Sequence, residues 1–151
     1  VGLSETKIRF SFEDTVLTSK LIDGTFPDYQ RVIPEGNDKK IDVETKGFAA
    51  AVDRVSAISS EKSRAVKLNI ASGILTLSAS SPEDGSATEE IEVDYQGDVL
   101  EVGFNAGYLL DIVRQIEGSN ARMLMADAAS PTIFSEVDDP GVLYVLMPMR
   151  V

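Results

Sequence analysis

The sequence contains neither histidine nor cysteine, which removes most of the side chains that do chemistry near neutral pH. Without imidazole there is no general base poised near pH 7, no common zinc ligand and no Ser-His-Asp triad. Without thiols there is no disulfide, thiolate metal site or cysteine nucleophile. Carboxylates remain. The pairs Glu83-Asp84 and Asp138-Asp139 are the ones able in principle to hold calcium or to share acid-base work on a sugar. Neither lies in EF-hand spacing, and no phosphate-binding glycine loop accompanies them. Asp138-Asp139-Pro140-Gly141 reads as a turn. The sequence therefore predicts no enzyme, no catalytic or metal-binding residue and no cofactor.

Binding chemistry is concentrated at the end of the sequence, in Leu143-Tyr144-Val145-Leu146-Met147-Pro148-Met149-Arg150-Val151. Leu143 to Leu146 reads as a buried strand, and Pro148, which lacks an N–H donor, is expected to end the ladder. Met147 and Met149 are then left on a short segment beyond the sheet. Polarizable, unbranched methionines beside an arginine suit a surface that accepts apolar peptide side chains. A strand that only closes the core fits the same run.

Composition sets the frame for these residues. A chain of 151 residues with 43% apolar content is long enough for one core. No apolar run reaches the roughly 18 residues of a membrane span, and residues 1–10 lack a signal peptide's basic flank and apolar stretch. A cytoplasmic protein with no membrane partner is expected. The net charge of −11 argues against nonspecific nucleic-acid binding, but it is unevenly spread. Between Pro82 and Glu101 the acids Glu83, Asp84, Glu89, Glu90, Glu92, Asp94, Asp98 and Glu101 have no compensating base, whereas Lys46, Arg54, Lys62 and Arg64 outnumber the acids in their stretch. One face is expected to be acidic and another mildly basic.

The elements that would position these groups follow from periodicity. Thr6–Glu13 alternates and predicts a half-buried strand, and Val16–Ile22 a second, with Asp14-Thr15 as the hairpin turn. Pro27 and Pro34 then forbid regular structure, and Glu35-Gly36-Asn37-Asp38 marks a domain boundary near residue 35. Two strands cannot bury a core alone, so residues 1–34 read as the end of a preceding domain.

An internal repeat follows the boundary. Its first unit is a strand at 41–44, a helix at 46–59 and strands at 65–71, 74–80 and 88–95. The second is a strand at 100–104, a helix at 106–117 and strands at 122–126, 132–137 and 142–147. Both are β-α-β-β-β, giving an α+β fold with a pseudo-twofold axis. Ser72-Gly73 supplies one hairpin turn. Phe48, Val52, Val55 and Ser59 form one face of the first helix, and Lys46, Asp53, Arg54 and Ala57 the other. In the second, Asn105 is a good N-cap, Leu109, Ile112, Val113 and Ile116 form the apolar stripe, Arg114 points away and Gly118 suits C′.

Phe26-Pro27-Asp28-Tyr29 with Arg31-Val32, then Gly103-Phe104-Asn105 with Tyr108, then Tyr144 to Val151, occurring in that order on a doubled unit, resemble the bacterial DNA polymerase III beta subunit, the replicative sliding clamp. The likeness runs over the whole chain. It implies a DNA-clamp fold in which residues 1–34 end the middle clamp domain and carry the linker, and residues 35–151 form the third, C-terminal domain. It also implies a non-catalytic processivity factor, a homodimeric ring around duplex DNA held without sequence preference.

The resemblance further implies roles for individual residues. A groove for short Gln-Leu-x-Leu-Phe-like peptides of the DNA polymerase III alpha subunit, the clamp loader and repair polymerases would be walled by Pro27, Arg31, Val32, Asn105, Tyr108, Val145, Leu146, Met147, Pro148, Met149, Arg150 and Val151. Lys46, Arg54 and Arg114 would face DNA, although a solvated helix face explains the two arginines equally. Ala57, Ile58, Glu89 and Glu90 would lie at the subunit interface, where the acids serve equally to keep an edge strand from aggregating. Ser63, Ala129 and Pro131 depart from the family's pocket residues, so partner preference is expected to differ. The alternative class is a stand-alone, carboxylate-rich metal or peptide-binding module that does not act on DNA.

Overall fold

The computed structural model describes residues 1–59, 64–139 and 141–150. Among these residues, eleven strands form three antiparallel sheets, accompanied by two α-helices. The first sheet is made of β1 (Gly2–Leu3), β2 (Lys7–Phe12) and β3 (Thr15–Lys20), in that order. Its hairpin turn falls on Glu13-Asp14, one residue earlier than the sequence predicts, with Glu13 at φ 48°. The half-buried strand expected there is exposed at every position but Ile8. Phe10 is 43% and Phe12 75% exposed, because no layer among the described residues covers this sheet. The segment that follows holds one short 3₁₀ turn, Tyr29–Val32.

The remaining elements are β4 (Lys39–Glu44), α1 (Thr45–Ser56), β5 (Ala65–Ala71), β6 (Ile74–Ser81), β7 (Gly85–Glu92), β8 (Leu100–Asn105), α2 (Ala106–Val113), β9 (Asn120–Met125), β10 (Thr132–Glu136) and β11 (Leu143–Leu146). Both repeats are β-α-β-β-β as expected, but they are interlocked. One sheet runs β11-β10-β9-β4 and the other β7-β6-β5-β8. The first strand of each repeat thus pairs with the hairpin strands of the other, Ile41 opposite Met123 and Leu68 opposite Val102.

Matching backbone bonds fix each crossover. Thr45 N–H, at the start of α1, donates to Ser119 O at 2.9 Å, and Ala106 N–H, at the start of α2, donates to Arg64 O at 2.8 Å. Caps fix the helix starts. The Glu44 carboxylate accepts from the N–H of Lys46 and Gly47, and the Asn105 side chain accepts from Tyr108 N–H at 3.3 Å. The apolar stripes of both helices and the inner faces of both sheets meet in one core, where Phe104 and Phe134 pack edge to face at 6.1 Å.

Two local expectations are corrected. Gly118 is not a left-handed C′ residue, because α2 ends earlier, at Arg114, in right-handed geometry. A Cβ at Gly118 would lie 2.3 Å from a carboxylate oxygen of the flexible Glu136 side chain. Strand β7 begins at Gly85 rather than residue 88. The Ser81 hydroxyl accepts from the N–H of Glu83 and Asp84, both at 3.3 Å, and turns the chain tightly into Gly85 at φ +92°. No helix of the described residues is long and apolar enough to cross a membrane.

Candidate functional site

Beyond β11 the chain does not leave the body of the protein. Pro148 ends the ladder with β10, as a residue without an N–H must, yet Met149 N–H then donates to Gly103 O at 2.8 Å, an isolated antiparallel bridge to β8. The terminal segment therefore crosses from the edge strand of one sheet to the edge strand of the other. The segment lies beyond the sheet of β11, as expected, and the bridge ties it to the other sheet. The bridge lands on a glycine inside a strand, where a missing side chain permits close backbone approach.

The crossing creates a cleft of about 470 Å³. Glu101, Val102 and Gly103 of β8 form its floor, Pro148, Met149 and Arg150 one wall, and Ala128 and Ala129, from the turn between β9 and β10, the other. Its apolar surfaces come from proline, methionine and alanine. Its charged side chains are Arg150, which is exposed, and Glu101, which is paired with Lys67 at 3.0 Å. Such a cleft suits an extended peptide that inserts apolar side chains and bonds its main chain to exposed backbone groups.

Of the residues expected at a peptide groove, Pro148, Met149 and Arg150 line this cleft. Asn105 caps α2 two positions beyond the Gly103 bridge, and Tyr108, on the first turn of that helix, is 61% exposed. Met147 is 61% exposed and Val145 half-buried. Leu146 points into the core, 8% exposed, so it anchors the segment and offers no side chain to a ligand. Pro27 and Val32 are exposed. Arg31 is held within its own turn, its guanidinium 3.1 Å from Asp28. Val151 and Ser63 lie outside the described residues. The floor residues Glu101, Val102 and Gly103 are not among those the sequence singles out. Their signal is the glycine within a strand pattern, which marks close backbone approach.

The remaining predicted residues lie elsewhere. Lys46 and Arg114 are exposed, at the start of α1 and just after α2. Arg54 is also exposed, and its guanidinium is bonded to the Glu89 carboxylate of β7. That bond holds Glu89 below the usual carboxylate range and raises Arg54. Glu89 and Glu90 occupy opposite faces of the edge strand, Glu89 on the half-buried side and Glu90 outward. Ala57 is exposed and Ile58 half-buried just past α1. Among the carboxylates considered for metal, Asp84 accepts from the Ser81 hydroxyl at 3.1 Å and Asp139 from Gly141 N–H at 3.0 Å.

Comparison with known proteins places this architecture. Residues 30–150 match the family described as DNA polymerase III beta subunit, C-terminal domain. The beta sliding clamp of Caulobacter vibrioides is 54% identical over 149 residues, covering 99% of this chain and 40% of the relative. That of Pseudomonas putida is 40% identical over 150 residues, covering 99% and 41%. Among solved structures, the sliding clamp of Bartonella birtlesii bound to griselimycin superposes with a TM-score of 0.93 at 52% identity, covering 99% of this chain and 40% of that one. The clamp of Caulobacter crescentus does so at 0.92 and 53%, with the same coverage. The chain spans about 40% of the length of the curated relatives it matches.

Proposed function

The chain belongs to the DNA polymerase III beta subunit family, whose C-terminal domain it carries, and on that premise we propose that it is part of a sliding clamp. In this reading residues 35–151 are the third domain and residues 1–34 the end of the middle domain with its linker. The complete protein closes as a homodimeric ring around duplex DNA in the cytoplasm. It catalyses no reaction and raises processivity by holding the polymerase on the template. Lys46 and Arg114 face the duplex, and Ala57, Ile58, Glu89 and Glu90 flank the subunit contact.

The observation that carries the reading is the cleft made by the Met149–Gly103 bridge. It sets alanine, proline and methionine beside the charged Glu101 and Arg150 along strand β8, an arrangement that suits short linear peptides. Pro148 and Met149 receive the leucine and phenylalanine of a Gln-Leu-x-Leu-Phe-like segment. Asn105, Tyr108, Met147 and Arg150 flank it, and Pro27, Arg31 and Val32 complete the groove from the linker. A peptide so held tethers its polymerase, clamp loader or repair partner to the ring.

The test is an amide-shift titration of the isotopically labelled chain with a peptide carrying that motif. Shifts are expected at Gly103, Asn105, Tyr108, Ala129 and Met147 to Arg150. Silence both here and in the full-length protein would overturn the peptide-groove reading.

A further inference from the structure

Resting on the reading that the cleft takes a peptide, we infer that Asn37 and Asp127, which do not line it, are positioning residues that build its outer wall. That wall is the turn between β9 and β10. Its tip residues, Ala128 and Ala129, are exposed and too small to fix the loop by packing. A wall of this kind presents mainly main chain, so its shape is the shape of the backbone.

The backbone is tied down from outside and inside. From outside, the Asn37 amide donates to Leu124 O at 2.8 Å and to Pro131 O at 2.9 Å, stapling both ends of the turn with one side chain. Lys39 Nζ adds a bond to Ala126 O at 2.8 Å. From inside, one Asp127 carboxylate oxygen accepts from the N–H of Ala129 at 2.8 Å and of Ser130 at 2.7 Å, and the other accepts from the Ser130 hydroxyl at 2.8 Å. An Asx turn of this type sets the direction of the residues that follow it. The bonds from Ala129 and Ser130 hold the Asp127 carboxyl below its usual range, with nearby Lys39 acting in the same sense.

Every conformational degree of freedom fixed before binding is one the peptide need not fix. Asn37 lies within the turn-rich run 35–38 that precedes β4. One side chain thus connects the segment before β4 to the outer wall of the cleft.

The experiment measures binding of a fluorescent Gln-Leu-x-Leu-Phe peptide to the full-length protein by anisotropy, with thermal unfolding of each variant alongside. Asn37→Ala and Asp127→Ala are each expected to weaken binding about tenfold at a temperature where both remain folded. Asp127→Asn keeps an oxygen for the two backbone N–H groups and should restore most of the affinity. Wild-type affinity in both alanine variants would overturn the inference, as would an Asp127→Asn protein that binds no better than Asp127→Ala. Should Asp127→Ala not fold, Asn37→Ala decides by the same criterion. Absence of binding by the wild-type protein would overturn the peptide-groove reading itself, and this inference with it.

Discussion

Asp42 on β4 and Arg122 on β9 form a two-bond fork, Nε to Oδ1 at 2.8 Å and Nη2 to Oδ2 at 2.7 Å, with both side chains about one-third exposed or less. The Arg122 bonds hold the Asp42 carboxyl below its ordinary 3.8, against the opposing effect of burial. A carboxyl depressed in the folded state stabilises the fold above its unfolded pKa and ceases to do so as pH falls through its folded value. Asp42→Asn should therefore lower unfolding free energy by about 1–2 kcal/mol at pH 7, read from urea melts. The gap to wild type should close as pH drops below about 3.9. A gap that persists unchanged to pH 2 would mean the pair contributes through shape, not charge. Legibility at this scale follows sequence distance. The Asn105 cap is readable because its partner lies three residues away. Asn37 reads only as a turn residue, because its acceptors lie 87 and 94 positions along the chain. Gly118 misleads because a glycine standing a few residues past a helix end looks like a C′ glycine in sequence.

Periodicity identifies ten of the eleven strands and both helices, to within a few residues at their ends; the two-residue β1 is too short to carry a pattern. It cannot reveal that the repeats exchange their first strands. An alternating strand buries the same face whichever antiparallel neighbour it has, so Ile41 and Val43 would be apolar in either pairing. The exchange has a physical consequence. With β4 beside β9 and β8 beside β5, neither repeat can complete a sheet or cover its helix by itself. A fragment of residues 37–95 should be unfolded by circular dichroism and show collapsed amide dispersion. Residues 37–151 should instead unfold in one cooperative transition. A folded, monomeric 37–95 fragment would show that each repeat is self-sufficient and that the crossover only docks two finished units. The same exchange accounts for the cleft, since the terminal segment must span from β11 to β8 to lie where it does.

At the scale of the whole molecule, the acidic total and the proposed DNA-facing role coexist only if the basic side chains are separated from the acids. The structure separates some and not others. Lys46 and Arg114 are exposed, whereas Arg54 is bound to Glu89 and the pair presents no net charge. A guanidinium already engaged by a carboxylate must exchange one anion for another to reach a phosphate. An exposed ammonium gains attraction and releases counterions. In the full-length protein, Lys46→Ala and Arg114→Ala should each weaken duplex binding at low salt and flatten its salt dependence, by up to about 0.9 in the log–log slope for each phosphate no longer neutralised. Arg54→Ala should flatten the salt dependence much less, because a guanidinium already engaged by Glu89 neutralises no phosphate. Glu89→Gln is the discriminating variant. It removes the competing carboxylate and should strengthen duplex binding by releasing Arg54. Anisotropy on a duplex at two or more salt concentrations measures all four. If Arg54→Ala costs as much as Lys46→Ala while Glu89→Gln has no effect, the pair opens in the complex. Arg54 would then be a working DNA contact and Glu89 a resting place for its charge.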